Sequence, residues 1–113
     1  MVLGLFKSFM DAEAKQKALE LAATIDVAYS DADGLTPLML SASAAKLDIM
    51  NRLVKRGADV NHRNREGNTV LHRAAIHGDA RVVRWAVEAS ALLDLQNEEG
   101  WTPVDYAVLH GQK

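Results

Sequence analysis

Gly34-Leu35-Thr36-Pro37-Leu38, Gly67-Asn68-Thr69-Val70-Leu71 and Gly100-Trp101-Thr102-Pro103-Val104 are one phrase written three times, each copy 33 residues after the last. The phrase has a physical meaning. A glycine takes the positive φ that a tight turn requires. Two residues later a threonine hydroxyl can accept a hydrogen bond from a backbone N–H that a helix start leaves without a partner, and a proline suits the first helical position because it has no N–H to satisfy. Thr36-Pro37 and Thr102-Pro103 therefore read as helix starts. Ser30-Asp31-Ala32-Asp33 and Asn64-Arg65-Glu66 supply turn-rich polar sequence ahead of the first two glycines.

Working outward, the spacing predicts a first helix over about 36–44 and again over 69–77. Gly78 and Gly111 stand where a helix stop favours a left-handed residue. Ala45 holds that place in the first copy, at some cost to the turn. Second helices follow over about 47–55 and 80–88. Ile49, Met50, Leu53 and Val54 align with Val82, Val83, Ala86 and Val87, a spacing that gathers apolar side chains on one helical face. These positions are predicted core. One helix pair cannot bury both of its faces, so neighbouring pairs are expected to stack.

Upstream, Thr24-Ile25-Asp26-Val27 lies one period before Gly57-Ala58-Asp59-Val60, which makes 11–23 the second helix of an atypical first unit and 3–9 its first. Downstream, the third copy reaches only its first helix before Gln112-Lys113. Val104, Ala107 and Val108 then belong to a partly open edge, and weak self-association through it is expected; sedimentation at high concentration would test this.

A 33-residue period with a Thr-Pro-Leu-His-x-Ala phrase is the signature of the ankyrin repeat. Thr69-Val70-Leu71-His72-Arg73-Ala74 departs from it only at Val70, and Gly57-Ala58-Asp59-Val60-Asn61 resembles the family's repeat ending. The resemblance covers about residues 24–113. It implies an all-α solenoid of stacked helix-turn-helix units joined by β-turn or hairpin loops: a cap at 1–30, repeats at 31–63 and 64–96, and a partial repeat at 97–113. It further implies a non-enzymatic module that binds a protein partner through turn tips and the exposed edge of the first helices. Carried over position by position, the partner-facing residues are Asp33, Leu35, Arg65, Glu66, Asn68, Glu98, Glu99 and Trp101 on the turns, with Arg73, Ile76, His77, Leu109 and His110 on the first helices. Trp101 reads either as an interface anchor or as a ring packed over the neighbouring turn. The family's histidine, here His72, is implied to have a structural hydrogen-bonding role.

Composition narrows the alternatives. Apolar residues make up 49% of 113, enough for a core, and the chain has no cysteine, which removes thiolate nucleophiles, disulfides and Cys-ligated zinc together. A cytoplasmic or nuclear location is expected on that ground. The opening residues lack a signal-peptide pattern, since Lys7 breaks the apolar run, and no stretch is long and apolar enough to span a bilayer. His62, His72, His77 and His110 form no HExxH pattern, and the glycines follow the repeat rather than a phosphate loop. No cofactor or metal is expected, and Glu98-Glu99 are adjacent turn residues rather than a paired acid and base.

Charge is unevenly spread. Residues 51–84 carry Arg52, Lys55, Arg56, Arg63, Arg65, Arg73, Arg81 and Arg84 against Asp59, Glu66 and Asp79, a balance of +5 between acidic flanks. The alternative this raises is a nucleic-acid-associated factor, tested by steep salt dependence of binding. A mixed apolar and charged edge suits protein better. A bacterial effector or immunity role is a further alternative, drawn from the family resemblance alone.

Overall fold

The structure, a computed structural model, describes Gly4 and residues 15–109. Six helices lie among residues 15–109: α1 (Lys15–Ala22), α2 (Pro37–Ser43), α3 (Leu47–Lys55), α4 (Val70–His77), α5 (Ala80–Glu88) and α6 (Pro103–Leu109). There is no strand among the described residues. The chain divides into two compact units, Met1–Asp59 and Val60–Lys113. Apart from Gly4, the helix expected over 3–9, together with the start of the one expected over 11–23 and Gly111, lies outside the described residues.

In the first unit, Thr36 stops the extended backbone and caps α2 by accepting from the Met39 N–H at 3.2 Å. A threonine cap of this kind contributes about 1 kcal/mol. The helix closes through two backbone bonds, Ala45 N–H to Ala42 C=O at 3.0 Å and Lys46 N–H to Ser41 C=O at 3.0 Å. That closure forces Ala45 into the left-handed region at φ 55°. α3 packs against both α2 and α1 and buries Ile49, Met50 and Leu53. Each such side chain contributes about 2 kcal/mol by leaving water.

The end of α1 departs from the pattern. Thr24 aligns with Gly57, yet a β-branched residue strongly disfavours positive φ, and α1 does not end on a left-handed residue. Its last carbonyl is met by the residue that follows α3: one Arg56 guanidinium nitrogen donates to Ala22 C=O at 2.9 Å and, just beyond the helix, to Ile25 C=O at 2.6 Å. A cation at a helix C-terminus also opposes the helix dipole favourably.

The second unit repeats the plan with different residues. α4 packs against α5 and against α6. Its cap is reciprocal: Thr69 accepts from the His72 N–H, and the His72 ring accepts from the Thr69 N–H at 3.1 Å. It closes by Asp79 N–H to Ala74 C=O at 3.1 Å, with Gly78 as the left-handed residue at φ 73°. Asp79 then caps α5, accepting from Arg81 and Val82 N–H. α3 and α5 also end alike, by Ala58 N–H to Leu53 C=O and Ala91 N–H to Ala86 C=O, both 3.0 Å. The left-handed residue is Gly57 (φ 100°) in one and Ser90 (φ 66°) in the other.

Candidate interaction surface

Three residues spaced by 33 build the turns. Asp31, Asn64 and Asn97 each use one side-chain oxygen to accept from the N–H groups two and four residues ahead: Asp33 and Leu35, Glu66 and Asn68, Glu99 and Trp101, all at 2.9–3.0 Å. Their own N–H groups reach the carbonyls of Leu35, Asn68 and Trp101, and their own carbonyls accept from Gly34, Gly67 and Gly100. A short polar side chain that replaces part of the backbone network is what this turn needs. The spacing of these three was visible in the sequence, but the change from Asp to Asn hid it.

With the turn held from one residue, the side chains at its tip are released from structural duty. Asp33 in the first unit, and Arg65, Glu66, Glu98 and Glu99 in the second, are exposed. The turns at 64–68 and 97–101 are joined directly, Glu98 N–H donating to Glu66 C=O at 3.0 Å. On α4, Arg73 and Ile76 are half-buried and His77 is exposed, three residues at i, i+3 and i+4 that share a face. Leu35 is half-buried and Leu109 is 60% exposed. His110 lies outside the described residues.

Asn68 is a correction. Expected at a turn tip, it is buried, and its side-chain oxygen accepts from Asn97 Nδ2 at 2.8 Å. The same Asn97 Nδ2 donates to the Tyr106 hydroxyl at 2.9 Å. Asn68 thus tethers one turn to the next rather than facing outward.

Trp101 packs on the helix that follows it, α6, rather than over the neighbouring turn. Its ring stacks on Tyr106 at 5.0 Å between centroids and 30° between planes, and it remains partly exposed. Glu99, Trp101, Asp105, Val108 and Leu109 share a shallow groove beside it.

His72 organises the interior of this region. It is fully buried, in an edge-to-face arrangement with Tyr106 at 6.2 Å between ring centroids. A carbonyl can only accept, so the 2.9 Å contact with Trp101 C=O places the proton on Nε2, and Nδ1 is left to accept from Thr69 N–H and the Thr69 hydroxyl. Burial holds its pKa below the ordinary imidazole value; the Trp101 and Leu95 carbonyls pull the other way, and Arg63 adds to the depression. The neutral ring is therefore the folded form.

Among the described residues no three His, Asp or Glu side chains gather as a metal-binding set, and no helix is long and apolar enough to cross a membrane.

Two ankyrin families match the sequence. One described as "Ankyrin repeats (many copies)" matches residues 53–107, and one described as "Ankyrin repeat" matches 33–65. Among curated proteins, a probable E3 ubiquitin-protein ligase, XBOS33 of Oryza sativa subsp. japonica, is 41% identical over 75 residues, 66% of this chain. Alpha-latrocrustotoxin-Lt1a of Latrodectus tredecimguttatus is 44% identical over 48 residues, 42% of this chain. Human inversin is 43% identical over 54 residues, 48% of this chain. The matched regions span 14%, 3% and 5% of those three proteins respectively.

Proposed function

Because the chain belongs to the ankyrin-repeat family, whose repeats generally serve as protein–protein interaction modules, we propose that it is a non-enzymatic adaptor that binds a protein partner through its turn tips and the exposed edge of its first helices. The observation that carries this reading is the division of labour in the turns. Asp31, Asn64 and Asn97 make the side-chain hydrogen bonds of each turn, whereas Arg65, Glu66, Glu98 and Glu99 stand exposed and their side chains make none of these bonds among the described residues. Side chains without a structural task can vary with the partner at little cost in stability. Arg73, Ile76 and His77 extend the surface along α4, and Trp101 adds an aromatic anchor beside Leu109.

The test is affinity capture with the immobilised chain and two charge reversals, Arg65→Glu and Glu98→Lys, each verified by circular dichroism to keep its helices. Loss of the same captured protein in both variants supports the reading. Unchanged capture sinks it. Trp101→Ala is the weaker probe, since it also removes the stack on Tyr106. Binding to generic DNA that falls steeply with salt would shift the assignment to a nucleic-acid factor.

A further inference from the structure

From Trp85 to Gln112 the sequence has five carboxylates, Glu88, Asp94, Glu98, Glu99 and Asp105, and no lysine or arginine. Two of them, Glu99 and Asp105, stand exposed at the shallow groove beside Trp101, whose other lining residues are Gly100, Val108 and Leu109. Tyr106 occupies one face of the indole, and the exposed part of the ring lines the groove. An aromatic wall, two carboxylates and an aliphatic end thus meet in one place, with Val108 76% and Leu109 60% exposed. Neither Glu99 nor Asp105 is in an ion pair among the described residues. Asp105 Oδ2 accepts from the Thr102 N–H at 2.8 Å, which holds that carboxylate in place, while the Glu99 side chain makes no hydrogen bond among the described residues. A Cβ built on Gly100 meets nothing within 4 Å, so the turn backbone leaves the approach open.

We propose, resting on the turn-tip reading above, that this groove binds an arginine of the partner protein with an aliphatic residue beside it, which names the partner chemistry that reading leaves open. A guanidinium is flat and always charged, so it can stack on an indole while its edge donates two hydrogen bonds to a carboxylate. Glu99 is the carboxylate available for that pair. Asp105, with one oxygen committed to Thr102, adds charge. A lysine ammonium lacks the flat face, and a phosphate backbone would meet only like charge here. Val108 and Leu109 give the neighbouring aliphatic side chain apolar surface to cover. Tryptophan and arginine are also residues on which interface energy concentrates.

The probe is the acetylated, amidated pentapeptide Gly-Arg-Leu-Leu-Gly, with lysine and citrulline versions, titrated into the isotope-labelled full chain and followed by NMR. With the arginine peptide, saturable shifts of the Trp101 indole N–H and of the Glu99 and Leu109 amides are expected. Binding should be about threefold weaker with lysine and absent with citrulline at about 2 mM peptide. Glu99→Gln should weaken the arginine peptide about fivefold while keeping the helical circular dichroism, and Glu88→Gln, on α5, should leave it unchanged. Equal binding of the lysine or citrulline peptide, no saturable shift, or shifts centred away from Trp101 overturns the proposal. So does sedimentation showing a dimer that Glu99→Gln dissolves, which would give the groove to a second copy. Protein capture separates the two readings. A partner lost in Arg65→Glu and Glu98→Lys but kept in Glu99→Gln retains the turn-tip surface and removes the arginine site; arginine-peptide binding with capture unchanged in the first two variants does the reverse.

Discussion

The helix pair α2–α3 and the helix pair α4–α5 follow the same backbone plan, yet they meet its demands with different residues at four matched positions. Where the first cap has Met39, which cannot return a hydrogen bond, the second has His72, which does. Where the first pair forces Ala45 left-handed, the second uses Gly78. α3 begins at Lys46 without a side-chain cap, and α5 begins at Asp79 with one. The fourth difference runs the other way, Gly57 against Ser90. The lesson is that a repeat specifies backbone conformation and hydrogen-bond closure, and individual residues satisfy it to unequal degrees. Three of the four differences favour α4–α5.

The largest expected effect comes from the turns that precede and follow this second pair. A Cβ on Gly67 would sit 2.9 Å from Glu98 N, on backbone already at φ 79°, whereas one on Gly100 at φ 82° would meet nothing within 4 Å. Gly67→Ala should cost about 3 kcal/mol and Gly100→Ala about 1 kcal/mol in chemical denaturation, the first combining a steric clash with left-handed strain and the second strain alone. Equal losses would mean that the approach of Glu98 to Gly67 is not maintained in solution.

Next comes His72→Met, which copies the first pair's residue into the second. It strands the Thr69 N–H and removes one of the two hydrogen bonds to the Trp101 carbonyl, which keeps the one from the Asn97 N–H, and a loss of about 2 kcal/mol is expected. It should also abolish an acid sensitivity. Because the folded pKa of His72 lies below the unfolded value, the unfolded chain binds more protons as pH drops. The stability is fully present above about pH 6.5 and declines as pH falls below that toward the folded pKa. Melting temperatures of the wild type and of His72→Met across pH 5 to 8 would test this; parallel profiles would show that another group governs the acid limb.

Exchanging the left-handed residues is a smaller change. Ala45→Gly should stabilise by about 1 kcal/mol and Gly78→Ala should destabilise by a similar amount, measured by urea midpoint at constant slope. The smallest effect belongs to the missing cap: Lys46→Asp should add about 0.5 kcal/mol, seen as a rise in melting temperature. The exposed Arg81–Asp79 pair, 3.8 Å apart, contributes little to the natural cap of α5.

Much of this was legible before any coordinates. The glycine frame, the threonine caps and the four paired helices within one residue at each end follow from local backbone requirements, which are written in a few residues and recur with the period. The cost at Ala45 could be read from its alignment with Gly78. The left-handed Ser90 was less visible, because serine does not announce that conformation. Asn68, Leu35 and Trp101 occupy one position of the phrase and looked equivalent. What separates them is non-local: Asn68 turns inward because Asn97, in the next copy of the turn, offers it a hydrogen bond, and no pattern within a single repeat encodes that. The partner-facing surface is legible only by subtraction, as the residues for which the framework has no use.

One consequence of the histidine bridge concerns observation rather than stability. The Nε2 proton of His72 is shielded from solvent and directed at the Trp101 carbonyl, so it can leave only when that contact opens. In a proton spectrum it should give a separate downfield ring N–H signal whose exchange lifetime reports how often the Trp101 backbone ahead of α6 lifts away from α4. A single buried proton thereby serves as a clock for the opening of this contact.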